Sequence, residues 1–267
     1  MTSFLIIIPT LNSHALLPPL VSSLRRQSFP HWRVHFVDGF SCKEHRDYLQ
    51  MLCKDDSRFS FDNQESDHMG IFGAMNQGIR FANSDKDWLL FWGSDDQAAS
   101  PLVLESVARQ LQYYEEISER PDLLVCSGIY YASKTFDTQK RGYSFGRTTR
   151  FILRHSFRRS LFLGSTPPHQ ATFFSPRAIS LLPGFSSLFR LSADLDYFLR
   201  LSVFPQINVR VANIEVVWIG DSGVSQQQNT QRLREVRLAY AQAFGPLWWI
   251  PFFFRYFQRI QSLAAVR

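Results

Sequence analysis

Two adjacent carboxylates, Asp95 and Asp96, follow Trp88-Leu89-Leu90-Phe91-Trp92, a run apolar enough to be a buried strand. Side-by-side acids at a strand exit repel one another unless a cation lies between or beside them. A hard divalent cation, Mg2+ or Mn2+, can take one or two carboxylates and complete its shell with substrate phosphate oxygens. The pair therefore reads as a metal site. A plainer reading makes Asp96 an acid near the start of the next helix, at Ser100. Polar groups close two other apolar runs: Pro9-Thr10-Leu11-Asn12 after Phe4–Ile8, and Asp38-Gly39 after Arg33–Val37. Open α/β sheets bind ligands at the carboxyl ends of their strands, although the same residue types also make ordinary turns.

The elements that must position these groups follow from periodicity. Phe4–Ile8, Arg33–Val37, Arg58–Phe61, Trp88–Trp92 and Asp122–Cys126 read as strands. Helices are expected over Leu16–Leu24, over Ile71–Phe81, and behind Ser100-Pro101, with Ser100 as N-cap and Pro101 at the first helical position. The alternation implies an α/β fold, a mainly parallel sheet flanked by helices. Residues 134–159 are basic and rich in Ser, Thr and Gly, and read as an excursion that turns helical from Phe151. Order returns with a strand at His169–Phe174, a helix capped by Ser175-Pro176, a helix over Ala193–Val203 and a strand over 207–219. The division expected is a main domain, 1–225, and a helical, aromatic and basic tail, 226–267.

With 267 residues and 45% hydrophobic composition, the chain can bury a large core. A net charge of +6 fits an anionic partner. The three cysteines lack CxxC spacing, which argues against a disulfide framework or zinc site and suits a reducing cytosol. No apolar stretch reaches the roughly 18–20 residues needed to span a bilayer. No RNP, KH, zinc-finger or helix-turn-helix signature accompanies the basic patches, so a nucleic-acid partner is not expected.

Seven segments, in order and across about residues 4–225, resemble family 2 glycosyltransferases of the GT-A fold, in particular the polysaccharide-building subgroup. Ile6-Ile7-Ile8-Pro9-Thr10-Leu11-Asn12 is similar to the family's opening strand, and Val37-Asp38-Gly39-Phe40-Ser41 to its nucleotide-binding turn. Gly70-Ile71-Phe72-Gly73-Ala74-Met75-Asn76-Gln77-Gly78-Ile79 resembles "GIYDAMNKGI", and Trp92-Gly93-Ser94-Asp95-Asp96 falls at the DxD metal motif. His169-Gln170-Ala171 resembles the "HQA" strand, Ala193-Asp194 the start of the catalytic-base helix, and Ser222-Gly223-Val224-Ser225 the "GGVS" segment.

The resemblance implies a role for each residue. Asp38 would accept hydrogen bonds from the donor nucleobase, with Thr10, Asn12, Asn76 and His169 also lining the donor site. Asp95, with Asp96 alongside, would ligate the Mg2+ or Mn2+ that bridges the diphosphate. Asp194 would be the general base for the acceptor hydroxyl, with inversion at the anomeric carbon. Asp196 is the alternative base, but residues two apart on a helix point roughly 200° apart, so only one faces the cleft. There are departures. Gly93 occupies the first DxD position, Gly73 stands where the subgroup often has Asp, and the QxxRW motif of processive synthases is absent. A single-addition enzyme is therefore expected, taking a nucleotide-sugar, UDP-sugar first, to a glycan or lipid-linked acceptor. The alternatives are a degenerate member that binds donor without turnover, or a basic nucleic-acid-binding module.

Further candidates are Glu65 and Asp67 as orienting acids, and Arg147, Arg150, Arg154, Arg158 and Arg159 as phosphate or headgroup contacts. The tail crowds Trp248, Trp249, Phe252, Phe253, Phe254, Tyr256 and Phe257 around Arg255, Arg259 and Arg267. Aromatics interspersed with Arg suit the headgroup boundary of an anionic membrane. A cytoplasmic protein, peripheral on the inner membrane face, is the expectation. The same aromatics would equally suit packing on the sheet or a dimer contact.

Overall fold

A computed structural model of the chain describes residues 2–66, 69–131, 144–145, 156–220 and 229–264. In order these form β1 (Ser3–Thr10), α1 (Leu17–Arg25), β2 (Trp32–Asp38), α2 (Lys43–Asp55), β3 (Phe59–Asn63), α3 (Ile71–Ile79), β4 (Asp87–Phe91), β5 (Gln97–Ala98), α4 (Val103–Glu116), β6 (Leu123–Tyr131) and β7 (Ser144–Phe145). There follow α5 (Phe157–Phe162), a 3-10 turn (His169–Ala171), β8 (Thr172–Phe174), α6 (Pro176–Leu181), α7 (Ala193–Leu201), β9 (Val209–Gly220), α8 (Asn229–Phe244) and α9 (Trp249–Ala264).

One sheet carries the molecule, in the order β3-β2-β1-β4-β8-β6-β9-β5, with β7 paired to β6. Strands β3, β2, β1 and β4 are parallel, the expected arrangement. Beyond β4 the sheet is mixed: β8 runs antiparallel to both β4 and β6, while β6 and β9 are parallel. Its central strands are buried on both faces, which is why β1 reads as continuously apolar. Phe4, Ile6 and Ile8 enter one core with α1 and α4; Leu5 and Ile7 enter a second with α3, α7 and α8. That is the period-2 alternation of a strand.

Several elements differ from the sequence expectation. Helix α2 was not foreseen. It is charged over most of its surface and buries only His45, Leu49 and Leu52. Helix α4 starts at Val103 rather than Pro101, and Ser100 Oγ accepts from Leu102 N (3.3 Å) in the turn before it. His169 lies in the 3-10 turn, and the strand begins only at Thr172. Helix α7 stops at Leu201, so Val203, expected as its last residue, lies beyond it and is exposed. The Ser175 cap is as expected, accepting from Ala178 N (3.0 Å). Helical onset at Phe151 and the Ser222–Ser225 segment lie outside the described residues.

Residues 229–264 do not hang free of the fold. Val236, Ala239 and Tyr240 of α8 are buried in the second core, with Trp248, Phe252 and Tyr256 packed against it. The opposite face of α9 is open: Trp249, Phe253 and Phe257 are exposed. Among the described residues no helix is long and apolar enough to cross a membrane.

Candidate active site

Strand directions decide which loops meet. The ends of β1, β2 and β4 share one edge because these strands are parallel. β8 runs the other way, so the turn that precedes it comes to that same edge, and Trp92 Nε1 donates to Gln170 O there (2.9 Å). β9, parallel to β6, delivers Gly220 to it as well.

Asp95 and Asp96 differ in environment. Asp96 is buried, and its carboxylate accepts from Gly93 N (2.7 Å) and from Gly220 N (3.2 Å), tying the β4 exit to the end of β9. Burial, and then the neighbouring Asp95 charge, push the Asp96 carboxyl up to about 8, against the pull of those two N–H donors. Asp95 is half-buried and lies over Gly220, where a Cβ would collide with its carboxylate. Asp96 is thus a brace of the turn as well as its second acid, a larger structural part than sequence assigned it. The donor set fits a hard divalent cation. Its charge would offset the burial and the Asp95 repulsion that raise Asp96, and Asp95 is the more exposed of the two. No group of three or more His, Cys, Asp or Glu among the described residues could hold a metal ion, so substrate or water oxygens would complete the shell.

Asp194 occupies the first turn of α7, a quarter exposed, with His169 Nδ1 3.5 Å from its Oδ2. Burial pushes its pKa up, but the His169 hydrogen bond and charge, then the Arg255 charge and the Leu195 N–H, outweigh it. The carboxyl is left below the ordinary range. Asp196 turns away as helix geometry requires. It is buried and accepts from Arg200 Nε (2.7 Å), and burial raises its pKa despite that guanidinium. The structure therefore brings Asp194 and His169 together and separates Asp196 from them.

Thr10, Asn12 and Asp38 also meet, largely by binding one another's loops. Asp38 is fully buried. It accepts from Thr10 Oγ1 (3.3 Å), Ser41 Oγ and Ser41 N (2.9 Å), with His45 Nε2 3.4 Å away. Asn12 Oδ1 accepts from Cys42 N (2.8 Å), and Ser41 Oγ lies 2.7 Å from Asn12 N. A nucleobase can reach Asp38 only if these surroundings open. Asn76 is occupied too: its amide donates to Phe185 O (2.9 Å) and accepts from Phe185 N (2.7 Å). It borders a 460 Å³ cavity lined also by Arg80, Gly184, Phe185 and Arg200, which none of the other candidate residues lines.

Other expectations resolve differently. Glu65 pairs with Arg80 on the surface (2.6 Å). Arg158 is not offered to a ligand: it donates to Ala243 O (3.0 Å) and covers the Phe244 ring. Arg159 is exposed, while Asp67, Arg147, Arg150 and Arg154 lie outside the described residues. Arg255, expected at a membrane surface, points inward instead and donates to Thr166 Oγ1 (2.5 Å). Glu235, which the sequence did not single out, accepts from Leu191 N (2.7 Å) and Ser192 N (2.9 Å), just before α7. Ser192, at the N-terminal boundary of α7, makes no side-chain cap bond. Nothing local in sequence marks Arg255 or Glu235, because their partners are far along the chain.

The family model for glycosyl transferase family 2 matches residues 5–181. Proteins of Mycobacterium bovis and Mycobacterium tuberculosis named PGL/p-HBAD biosynthesis glycosyltransferase are 28% identical over 220 residues, 82% of this chain and 77% of theirs. Among solved structures, S. aureus TarS 1-349 in complex with UDP superposes with a TM-score of 0.65 at 17% identity over 90% of this chain. The chain spans 65% of the length of that structure. The mannosyltransferase PcManGT from Pyrobaculum calidifontis, in complex with GDP-Man and Mn2+, gives 0.63 at 13% identity, covering 98% of this chain and 74% of its own. At such identities the likeness establishes the fold, which is GT-A.

Proposed function

The chain belongs to glycosyl transferase family 2, and from that premise we propose that it is an inverting, non-processive, metal-dependent enzyme. It takes a sugar from a nucleotide-sugar, UDP-sugar first, to a hydroxyl of a glycan or lipid-linked acceptor in cell-surface or glycolipid assembly. The observation that carries this reading is the convergence of the Asp95–Asp96 pair and the Asp194–His169 pair on one sheet edge. Asp194 accepts the proton of the attacking hydroxyl, and His169 orients its carboxylate. Asp95, with Asp96 beside it, would hold Mg2+ or Mn2+, which would supply positive charge to neutralise the departing nucleoside diphosphate. Support for the donor class comes from relatives in complexes with UDP, UDP-GlcNAc and GDP-Man, and support for a glycolipid product from the mycobacterial relatives' names. The exposed Trp249–Phe253–Phe257 face supports peripheral attachment to the cytoplasmic membrane face.

A thermal-shift screen of nucleoside diphosphates and UDP- and GDP-hexoses, with and without Mn2+, tests the reading. A binder at 100 times its dissociation constant stabilises the fold by about 2.7 kcal/mol. A shift that needs both nucleotide and Mn2+ is expected, and no shift with any of them would contradict the function. Gly93 in place of a family carboxylate favours a second reading, binding without turnover. Release of free hexose from the bound donor in Mn2+ separates the two.

A further inference from the structure

Helix α9 reaches the sheet edge through one close approach. Gly164 lies at φ +81°, and a Cβ there would overlap the backbone nitrogen of Arg255 and come within 2.8 Å of its Cα. Phe252 and Tyr256, three residues before and one after Arg255, pack on the second core and fix the rotation of the helix. Arg255 is thereby turned inward. Its side chain donates to Thr166 Oγ1, and its Nε is buried without a hydrogen-bond partner. Thr166 leads through Pro167 and Pro168 to His169, and the two proline rings fix φ along that short link. At its end His169 Nδ1 sits 3.5 Å from Asp194 Oδ2.

We propose that Arg255 is a positioning residue for the transfer step: delivered by the C-terminal helix, it holds the Thr166–His169 turn against Asp194. The inference rests on the reading of Asp194 as base. It adds that the base is held by a helix well outside the segment that matches the family model. Its fixed charge also bears on Asp194, whose ionised form burial opposes. The groups around that carboxylate are His169 from the turn before β8 and Arg255 from α9, with Tyr240 of α8 near Arg255. Glu235 of α8 is engaged with the backbone of Leu191 and Ser192, and on the base's own helix Asp196 is engaged by Arg200.

The test compares wild type, Arg255→Met, Arg255→Lys and Asp194→Asn in single-turnover hydrolysis of the UDP- or GDP-hexose that gives the thermal shift. Saturating donor and Mn2+ keep the Asp95–Asp96 pair common to all four. For Arg255→Met the expected result is donor affinity within about twofold of wild type and a turnover lower by roughly tenfold to a hundredfold. Its acid limb should also move to higher pH by about half a unit to one unit. Arg255→Lys, which keeps the charge and loses the planar fork, should restore the limb but only part of the rate. An unshifted limb in Arg255→Met overturns the proposal, as does an equal loss in both Arg255 variants at every pH with a lowered melting temperature. If Asp194→Asn turns over normally, the base assignment itself has failed and this inference falls with it. A dead Asp194→Asn beside a wild-type-like Arg255→Met overturns the inference alone.

Discussion

The two acids at the end of β4 share a motif but not a role. Asp95 is the more exposed of the two, while Asp96 satisfies two backbone N–H groups. Asp95→Ala should abolish Mn2+-dependent binding of a nucleoside diphosphate in calorimetry and leave the melting temperature near wild type. Asp96→Ala should instead lower stability, because each N–H left unpaired in a buried turn costs about 1–3 kcal/mol. Unchanged affinity in Asp95→Ala would remove it from the metal site. His35 gives a second residue-scale prediction. It is buried in β2, stacked on Phe81 at 3.7 Å, and burial lowers its pKa from 6.5 to about 4, helped by Arg33 and opposed by Asp62. The folded value lies below the unfolded one, so the unfolded chain takes up the proton first as pH falls. Stability is whole above pH 6.5 and declines towards pH 4, by about 3 kcal/mol in all. Urea midpoints should fall across that window, and His35→Gln should flatten the fall; parallel slopes in the two proteins would contradict it. At this scale the acids were legible in sequence because apolar runs mark where strands end. Arg255 and Glu235 were not, since their partners lie 89 and 44 residues away.

Among the elements, α7 matters most, since it presents Asp194. Its start is held by α8: one carboxylate oxygen of Glu235 takes both the Leu191 and Ser192 N–H, while the other accepts from Gln231 (2.9 Å). Glu235→Ala should therefore loosen α7 before it harms the sheet. Hydrogen exchange should rise at residues 191–195, and global stability should drop by about 1–3 kcal/mol for each orphaned N–H. Protection unchanged at those amides would show that α8 does not hold the base helix. Strands β1 to β4, β6, β8 and β9 were readable from short apolar runs, and α1, α3 and α4 from helical period; the two-residue β5 and β7 were not. Helix α2 escaped because a stripe of three buried residues among Lys, Glu, Arg and Asp gives periodicity little to detect. The 3-10 turn at His169 escaped because no Gly or Pro separates His169-Gln170-Ala171 from Thr172-Phe173-Phe174 to mark where β8 begins.

Over the whole molecule, the sheet divides two cores, and the C-terminal helices help build the second. Sequence separated residues 226–267 as a tail because composition changes there. Composition cannot reveal that Tyr240, Phe252 and Tyr256 pack with Phe157 and Phe198. Membrane attachment is therefore better tested on the exposed face than by deletion, which would uncover a core. Full-length protein should float with phosphatidylglycerol vesicles, and Trp249→Ser with Phe253→Ser should stay behind at an unchanged melting temperature. Full-length protein that does not float would end the membrane reading. The charge of +6 would assist such binding. The central claim, that this edge performs sugar transfer with Asp194 as base, is tested most directly by single-turnover hydrolysis of the bound nucleotide-sugar by Asp194→Asn and Asp196→Asn. Asp194→Asn keeps the shape of the side chain, so donor affinity should survive while turnover falls by roughly 10²–10⁴-fold. Asp196→Asn should stay within about tenfold of wild type, since its carboxylate is engaged by Arg200 away from His169. A near-normal rate for Asp194→Asn with collapse of Asp196→Asn would contradict the account.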